Sequence, residues 1–515
     1  MSRWNSFYEI LKYPLEVLFF AYAMIGVCNL ITNPVFGISY LITNEYVQAV
    51  AELIIRAAQF IIVNFPFLFL IRLAARKGGS AASIISAVSG YITYLVATMY
   101  FASTELPSTS YSSIFGLSVS NSSVSALAGS THYPLQTGVF GVAIVSFIAI
   151  VSFNRSRNHN ENSLLSFISK ETLCTIRTVF YSLLAGIAVS YIWPVVINAV
   201  QEVVSFITVD TTNPVNLMLY GITDRLLSTF GLGTMIRQPF WYGTNGGSWI
   251  NVAGATITGD VNVWTSQYTS YAVTGMSGRF ITPYYILNIF AVPAMVLAMC
   301  TLFTEKHERR KVFILSIIAV IVSWLGGTLL PLELMLLMLA PLLYFFHLGM
   351  TGLLYAVLQS THVYLGYRHT SSSLIAALPG TLSEFLSYMT HPDLMMTLAK
   401  IAVFGAASAV IYFLFTRFYF KHLASDLFKT GDTERMVQGT IKALGGFENI
   451  KGTSSGLSSL TVNVYDASVL NLQLLKRLGA IRVYETRYGF VISYGQASTI
   501  VRRGIDRFIK DSTRE

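Results

Sequence analysis

The sequence predicts an α-helical polytopic membrane protein of about ten crossings, some of them broken or re-entrant, followed by a small C-terminal α/β domain. Two observations carry this reading. Hydrophobic residues fill 53% of the 515 positions and charged residues only 11%, where a soluble chain carries about 25% charged. The charges are also unevenly placed: long apolar runs alternate with short basic clusters as far as Lys421, and beyond it the composition becomes that of a soluble domain. The first observation excludes a soluble enzyme. The formal charge of +9 comes from 34 Lys and Arg against 25 Asp and Glu. Most of the basic residues sit between apolar runs, so the lipid bilayer and not nucleic acid is the expected partner.

A crossing needs about 20 mostly apolar residues, because every backbone polar group must be satisfied within the segment where water is absent. Residues 15–31, 47–71, 81–101, 139–153 and 179–207 form a first group of such runs. Residues 286–303, 312–329, 332–365 and 394–420 form a second. The first run lacks a small-residue cleavage site and is followed by further runs, so it reads as a span and not as a cleaved signal. Arg72, Arg76 and Lys77, then Arg155 and Arg157, then the run Lys306 to Lys311, then Arg417 and Lys421 all follow or precede spans on one side. Short loops rich in Lys and Arg stay in the cytoplasm. Residues 103–136 hold none and are rich in Ser and Thr, as an external loop is. Both termini are then expected on the cytoplasmic side.

The tail reads element by element. Val437, Ile441 and Leu444 share a helical face that Gly445-Gly446 ends. Leu460, Val462 and Val464 alternate with polar residues, as in a half-buried strand. A helix carrying Val469, Leu472 and Leu475 stops at Gly479, and residues 481–485 and 490–494 look like two strands about the Tyr488-Gly489 turn. A last helix directs Ile500, Val501, Ile505 and Phe508 inward, and Arg502, Arg503 and Arg507 outward. The expected division is 1–424 for the membrane unit, 425–431 for a linker and 432–515 for the tail domain.

Between Lys311 and Arg368 the only Asp, Glu, Lys or Arg is Glu333, beside Gly326-Gly327-Thr328 and Pro331. Glycine and proline at membrane depth are tolerated where backbone lines a cavity, so one reading is a substrate-site hairpin. The other is a kinked helix whose carboxylate reaches the interface or pairs with a neighbour. Asp224 and Arg225 lie in a stretch, 221–234, too polar and Gly-rich to span. Arg225 can hold hydroxyls or a phosphate in a forked geometry; the commoner arrangement is that the pair caps and anchors an interfacial helix. Glu52 and Arg56, four apart, read as a local ion pair. His347 and His362, each alone on an apolar face, read as structural. Residues 245–275 read as loop. Cys28, Cys174 and Cys300 have neither metal nor disulfide spacing and are expected only to pack. No HExxH, GxSxG or Walker-type lysine occurs, so no metal, serine or nucleotide chemistry is indicated and no cofactor is expected.

The order of these parts resembles a phosphotransferase-system (PTS) sugar permease of the glucose superfamily, with a membrane enzyme IIC unit first and an enzyme IIB unit last. The resemblance rests on Arg76-Lys77-Gly78-Gly79, Ile192-Trp193-Pro194, Asp224-Arg225-Leu226-Leu227 through Gly231-Leu232, Gly326-Gly327-Thr328 with Pro331 and Glu333, Ala340-Pro341-Leu342-Leu343-Tyr344 with His347, and Thr351-Gly352-Leu353. In the tail it rests on Ala443-Leu444-Gly445-Gly446, Glu448-Asn449-Ile450-Lys451 and Leu475-Lys476-Arg477-Leu478-Gly479-Ala480. The resemblance implies a multi-pass homodimer of the bacterial plasma membrane. Such a protein binds a sugar or sugar-like molecule, works with cytoplasmic phosphocarrier proteins, and phosphorylates the sugar from a IIB cysteine. It also implies Asp224, Arg225, Thr328 and Glu333 as candidate sugar contacts.

The departures bear on activity. Where the IIB pattern has its cysteine this sequence has Gly456, and no cysteine occurs after Cys300. A thiolate accepts and releases a phosphoryl group; glycine has no side chain with which to do so. The family's Gly-Leu-His-His becomes Gly231-Leu232-Gly233-Thr234, and its Gly-Thr-Thr-Glu-Pro becomes Gly327-Thr328-Leu329-Leu330-Pro331. The expected function is carbohydrate transport without phosphotransfer through the chain's own tail, with no catalytic residue assigned. Two alternatives stay open: a non-transporting membrane sensor whose basic tail docks a cytoplasmic partner, and phosphorylating uptake with a IIB unit acting in trans.

Overall fold

The computed structural model describes residues 2–33, 37–102, 106–111, 133–157, 169–270, 273, 275–301, 306–368, 379–420, 431–455, 459–480, 482–486, 489–494 and 498–512. The expected linker, for all but Gly431, lies outside the described residues, as do Gly456 and most of the Ser-rich loop.

The membrane half is helical. Its elements are α1 (Ser2–Thr32), α2 (Glu45–Val63), α3 (Phe65–Gly78), α4 (Ala81–Phe101), α5 (Gly138–Arg157), α6 (Lys170–Val209), α7 (Pro214–Thr229) and α8 (Thr234–Trp241). A hairpin of β1 (Ser248–Ile250) and β2 (Thr256–Thr258) leads to α9 (Asp260–Thr269) and α10 (Thr282–Ile286). A π-helical turn over Leu287–Ala291 joins α10 to α11 (Val292–Thr301). Then come α12 (Lys306–Gly326), α13 (Leu330–Leu339), α14 (Pro341–Ser360), α15 (Leu382–Ser387) and α16 (Met395–Phe418). Among the described residues, eight helical stretches are long and apolar enough to cross a membrane, and Ser316–Gly326 is a shorter apolar one. The protein is a multi-pass membrane protein.

Two runs that read as single spans are broken, each at a proline. The run 47–71 divides at Asn64, because Pro66 has no N–H to continue the ladder; the Asn64 side-chain amide bonds the Phe60 carbonyl instead, at 2.8 Å. The run 332–365 divides at Ala340 (φ −146°, ψ 66°), since the residue before Pro341 is excluded from helical geometry. The segment 245–275 is not a loop. It forms the β1–β2 hairpin and α9, whose short apolar stripe of Val261 and Trp264 is wholly buried but too brief to stand out in a polar stretch. Cys28, Cys174 and Cys300 are buried, and Cys300 Sγ lies 3.1 Å from Ser316 Oγ.

Small residues set the closest helix approach. Ser86 and Gly90 of α4 face Thr175, Thr178 and Ser182 of α6, with Ser86 Oγ 2.9 Å from Thr175 Oγ1, while Ser83 turns to the Ala74 carbonyl of α3 at 3.0 Å. A Cβ on Gly186 would stand 2.6 Å from Ala97 Cβ and 2.8 Å from the Tyr94 carbonyl oxygen.

The tail has a hydrophobic core of its own, built from Val437, Ile441, Leu460, Val462, Ile492, Val501 and Ile505. Its elements are α17 (Gly431–Ala443), β3 (Ile450–Ser455), β4 (Leu460–Val464), α18 (Leu472–Arg477), β5 (Arg482–Thr486), β6 (Gly489–Ser493) and α19 (Ser498–Ser512). The sheet is antiparallel in the order β3-β4-β6-β5, and α19 packs on β3, β4 and α17. Strand β3 was not legible: an edge strand reading Ile-Lys-Gly-Thr-Ser-Ser, bulged between Ile450 and Gly452, carries no apolar alternation. Phe508 is exposed, not inward, with its ring tilted against Phe447 at 6.3 Å between centres. Val469 precedes α18 and is exposed with Leu472, leaving Leu475 as that helix's buried anchor.

Replacing Gly186 by valine should force α4 and α6 apart and destabilise the bundle by about 1–3 kcal/mol. Denaturant unfolding in detergent micelles measures it, and an unchanged midpoint would show that the seam has slack.

Candidate functional site

Helix α7 starts at Pro214, with the Asn213 side chain accepting the Val215 N–H at 2.9 Å, and stops where Gly231 takes φ 78°. That reversal brings α8 back alongside α7. Arg237 of α8 then reaches Asp224, Nε to Oδ1 at 2.6 Å, and donates from Nη2 to Ser228 Oγ at 2.6 Å. Asp224 Oδ2 accepts the Tyr284 hydroxyl at 2.6 Å and Arg225 Nη2 at 3.3 Å. The Arg225 guanidinium lies over the Tyr284 ring, 4.1 Å from its centre.

From the opposite side comes Glu333, in the first turn of α13, presented by the turn at Gly327 (φ 61°) and Pro331 at the helix start. Its Oε1 accepts Arg225 Nη1 at 3.4 Å and stands 3.2 Å from His347 Nε2 of α14. His347 Nδ1 is 2.8 Å from the Tyr412 hydroxyl of α16. The Tyr344 hydroxyl donates to Thr229 Oγ1 at 3.0 Å, and Thr229 donates to the Arg225 carbonyl, so α14 also braces α7.

Asp224, Arg225 and Glu333 are each at most 3% exposed. Two guanidinium cations and two carboxylates in one buried cluster balance in charge, which is the condition under which ions persist away from water. Two atoms remain without a hydrogen-bond partner among the described residues: Arg225 Nε and Glu333 Oε2, one donor and one acceptor. An open donor and an open acceptor in a charge-balanced cluster suit a neutral polyhydroxy molecule, whose hydroxyls both give and take hydrogen bonds.

The structure therefore brings together three of the four residues singled out from sequence. Asp224 and Arg225 do not anchor an interfacial helix; they are interior. Glu333 pairs with neighbours rather than reaching an interface. Thr328 is buried; its Oγ1 accepts the Leu330 N–H at 3.3 Å within the turn, and its side chain also meets the Tyr22 hydroxyl of α1. His347 is not an isolated structural group, since it bridges Glu333 to Tyr412. Arg237 and Tyr284 were not foreseen; Arg237 offered a signal, as a charge soon after the Gly231-Leu232-Gly233 reversal, and Tyr284 offered none. Glu52 and Arg56 form the exposed local ion pair expected, at 2.5 Å. Exposed His362 stands at φ 51°, near the Tyr364 hydroxyl at 3.3 Å.

A bundle of membrane-crossing helices with broken elements meeting at a buried, charge-balanced polar cluster is the build of a solute carrier. Residues 9–352 match the family described as "Phosphotransferase system, EIIC". The chain belongs to that family of permeases. It is also similar to the "PTS system glucoside-specific EIICBA component" of Staphylococcus carnosus (strain TM300), being 27% identical over 486 residues that cover 90% of this chain and 67% of that protein.

Removing Arg237 leaves Asp224 with one cation at 3.3 Å in place of two. Arg237→Met should thus destabilise the protein by about 3–5 kcal/mol, and Asp224→Asn in the same chain should recover part of the loss. Unfolding of both variants in detergent measures this; equal losses in single and double variants would mean that the pair is not coupled.

Proposed function

We propose that the chain is a plasma-membrane carbohydrate permease with a IIC-like unit over residues 1–424 and a degenerate IIB-like domain over 432–515, both termini cytoplasmic. It carries a glucoside through the Arg225–Glu333 cluster and releases it unmodified. The observation that supports this reading most directly is the pair of unsatisfied buried atoms, Arg225 Nε and Glu333 Oε2, in a chain of a sugar-permease family. A glucoside is favoured because the relative's name specifies one and the alignment reaches beyond the family's segment into the tail. Asp224 orients Arg225 and holds the Tyr284 hydroxyl, while Arg225, Glu333 and Thr328 take sugar hydroxyls. Loss of phosphotransfer follows from Gly456, which stands where the phosphate-bearing cysteine is expected, in a tail without any cysteine. Glycine offers no nucleophile, and unactivated serines nearby are poor ones at neutral pH.

The test is uptake of radiolabelled methyl glucoside into vesicles containing the purified protein. Unmodified sugar inside is the expected result; sugar phosphate formed only when a phosphorylated IIB protein is added would overturn the non-phosphorylating reading, and no entry at all would overturn transport. Arg225→Ala should abolish glucoside binding, measured by equilibrium dialysis, and an unchanged affinity would remove Arg225 from the site.

A further inference from the structure

Behind the Arg225–Glu333 cluster lies a second buried acid that the sugar site does not use. Glu384 sits in α15 and is completely buried. Its position, three residues after Thr381, suggests a capping box, and Thr381 Oγ1 does accept the Glu384 N–H at 3.2 Å. The carboxylate does not complete that box. Its Oε1 instead meets the Arg368 backbone N–H at 3.0 Å and the Tyr388 hydroxyl at 3.1 Å, its Oε2 makes no hydrogen bond of good geometry, and the Tyr285 hydroxyl also lies close to the carboxyl. The Arg368 guanidinium does not pair with it. It lies against the rings of Tyr268 and Tyr388, at 4.6 and 4.8 Å, and bonds Ser387.

Tyr388 is poised between two acceptors. Its hydroxyl takes the Trp264 indole N–H at 3.1 Å and lies 3.0 Å from the Gly366 carbonyl as well as 3.1 Å from Glu384. One hydroxyl has a single proton to give. If Glu384 is protonated, it donates to Tyr388, which donates on to Gly366, and all three are satisfied. If Glu384 is ionised, the carboxylate competes with the Gly366 carbonyl for the protons of both Tyr388 and Tyr285, whose hydroxyl is 2.8 Å from Gly366 and also within reach of Glu384. Tyr285 directly follows Tyr284, which holds Asp224 in the sugar cluster. The two tyrosines occupy α10, immediately before the π-helical turn Leu287–Ala291. Single π turns mark places where a helix can change register.

We infer that Glu384 is a proton-binding site linked, through Tyr388, Gly366 and the Tyr285–Tyr284 pair, to occupancy of the Arg225–Glu333 site. This rests on the reading of that site as a sugar site, and it supplies what a permease without phosphotransfer lacks, a coupling ion. On deprotonation the proton leaves to water at the half-buried Arg368 edge, and the carboxylate keeps the electron pair. The groups facing Glu384 are Arg368, Tyr285, Tyr388 and Tyr367, with His391 beyond Tyr268. Burial pushes its carboxyl up to about 7, against the partial relief given by the Arg368 N–H and charge and by the two tyrosine hydroxyls. Asp260 of α9, bonded to the Gly278 N–H at 2.8 Å, is raised by burial to about 7 as well and serves as a control. Both acids lie outside the membrane-crossing stretches. Between the ordinary 4.5 and about 7, the folded protein holds the Glu384 proton and the unfolded chain does not, so this contribution to stability is lost as pH rises through that window.

Infrared spectroscopy of the purified full-length protein tests the proton site. A carboxylic-acid C=O band should fade as pH rises through neutrality, lose part of its intensity in Glu384→Gln, and keep that part in Asp260→Asn. Methyl glucoside binding tests the linkage. Its dissociation constant should rise about tenfold per pH unit above neutrality in the native protein, and stay at the low-pH value at every pH in Glu384→Gln. Tyr388→Phe should keep the infrared band and lose the slope, which guards against a Gln variant that fails to fold. An infrared band unchanged by Glu384→Gln, a flat affinity profile with glucoside bound, or an affinity set by sodium at fixed pH would each overturn the inference. If methyl glucoside binds at no pH, the sugar-site reading falls and takes the linkage with it, while the infrared titration still decides whether Glu384 holds a proton.

Discussion

The arrangement of the membrane half depends on three buried charges and one half-buried one, Arg237, that must neutralise one another. An isolated carboxylate or guanidinium in an apolar interior costs several kcal/mol even after relaxation. Asp224 and Arg225 on α7, Arg237 on α8 and Glu333 on α13 are therefore tolerated only because these three elements meet. Tyr284 and His347 extend the same requirement to α10 and α14. Any movement that carries a solute past this cluster has to shift it as a unit or replace one of its partners with a group from the solute. A hydroxyl-rich molecule is suited to that exchange, because it presents donors and acceptors without bringing a charge that would unbalance the site.

The broken helices have a common purpose in this setting. A continuous helix through 312–339 would pass its side chains along one wall, whereas the stop at Gly326-Gly327-Thr328 and the restart at Pro331 aim Glu333 across the bundle. Irregular backbone at such depth survives where protein encloses it. Gly326 lies beneath the Tyr22 carbonyl of α1, and the carbonyls loosened by the π turn, on Asn288 and Ile289, accept from Ser323 at 2.6 Å and Trp324 at 3.1 Å. The interruption at the π turn is thus answered by a neighbouring helix, which holds this otherwise weak point in one arrangement.

The tail is a different physical problem. Its sheet and three helices form a separate apolar core and need no lipid. Family membership covers residues 9–352 and so leaves this part to be judged on its own chemistry. That chemistry is cysteine-free, and in sequence Gly456 falls between β3 and β4.

Composition and apolar run length alone established the membrane-bundle class, most of the span positions and the α/β character of the tail, because lipid and water each demand their own pattern over many residues at once. Buried acid and base in apolar company were equally legible as anomalies, so Arg225 and Glu333 stood out. What remained hidden was pairing. Which charge meets which, that Arg237 folds back onto Asp224, that His347 bridges to Tyr412, and that Tyr284 and Tyr285 face two different clusters are all set by contacts far apart in the chain. The β3 edge strand and α9 were hidden for a related reason: each is held by its neighbours in space, and neither carries enough apolar periodicity of its own to announce itself. Local sequence specifies how an element must be solvated, and only tertiary packing decides what satisfies it.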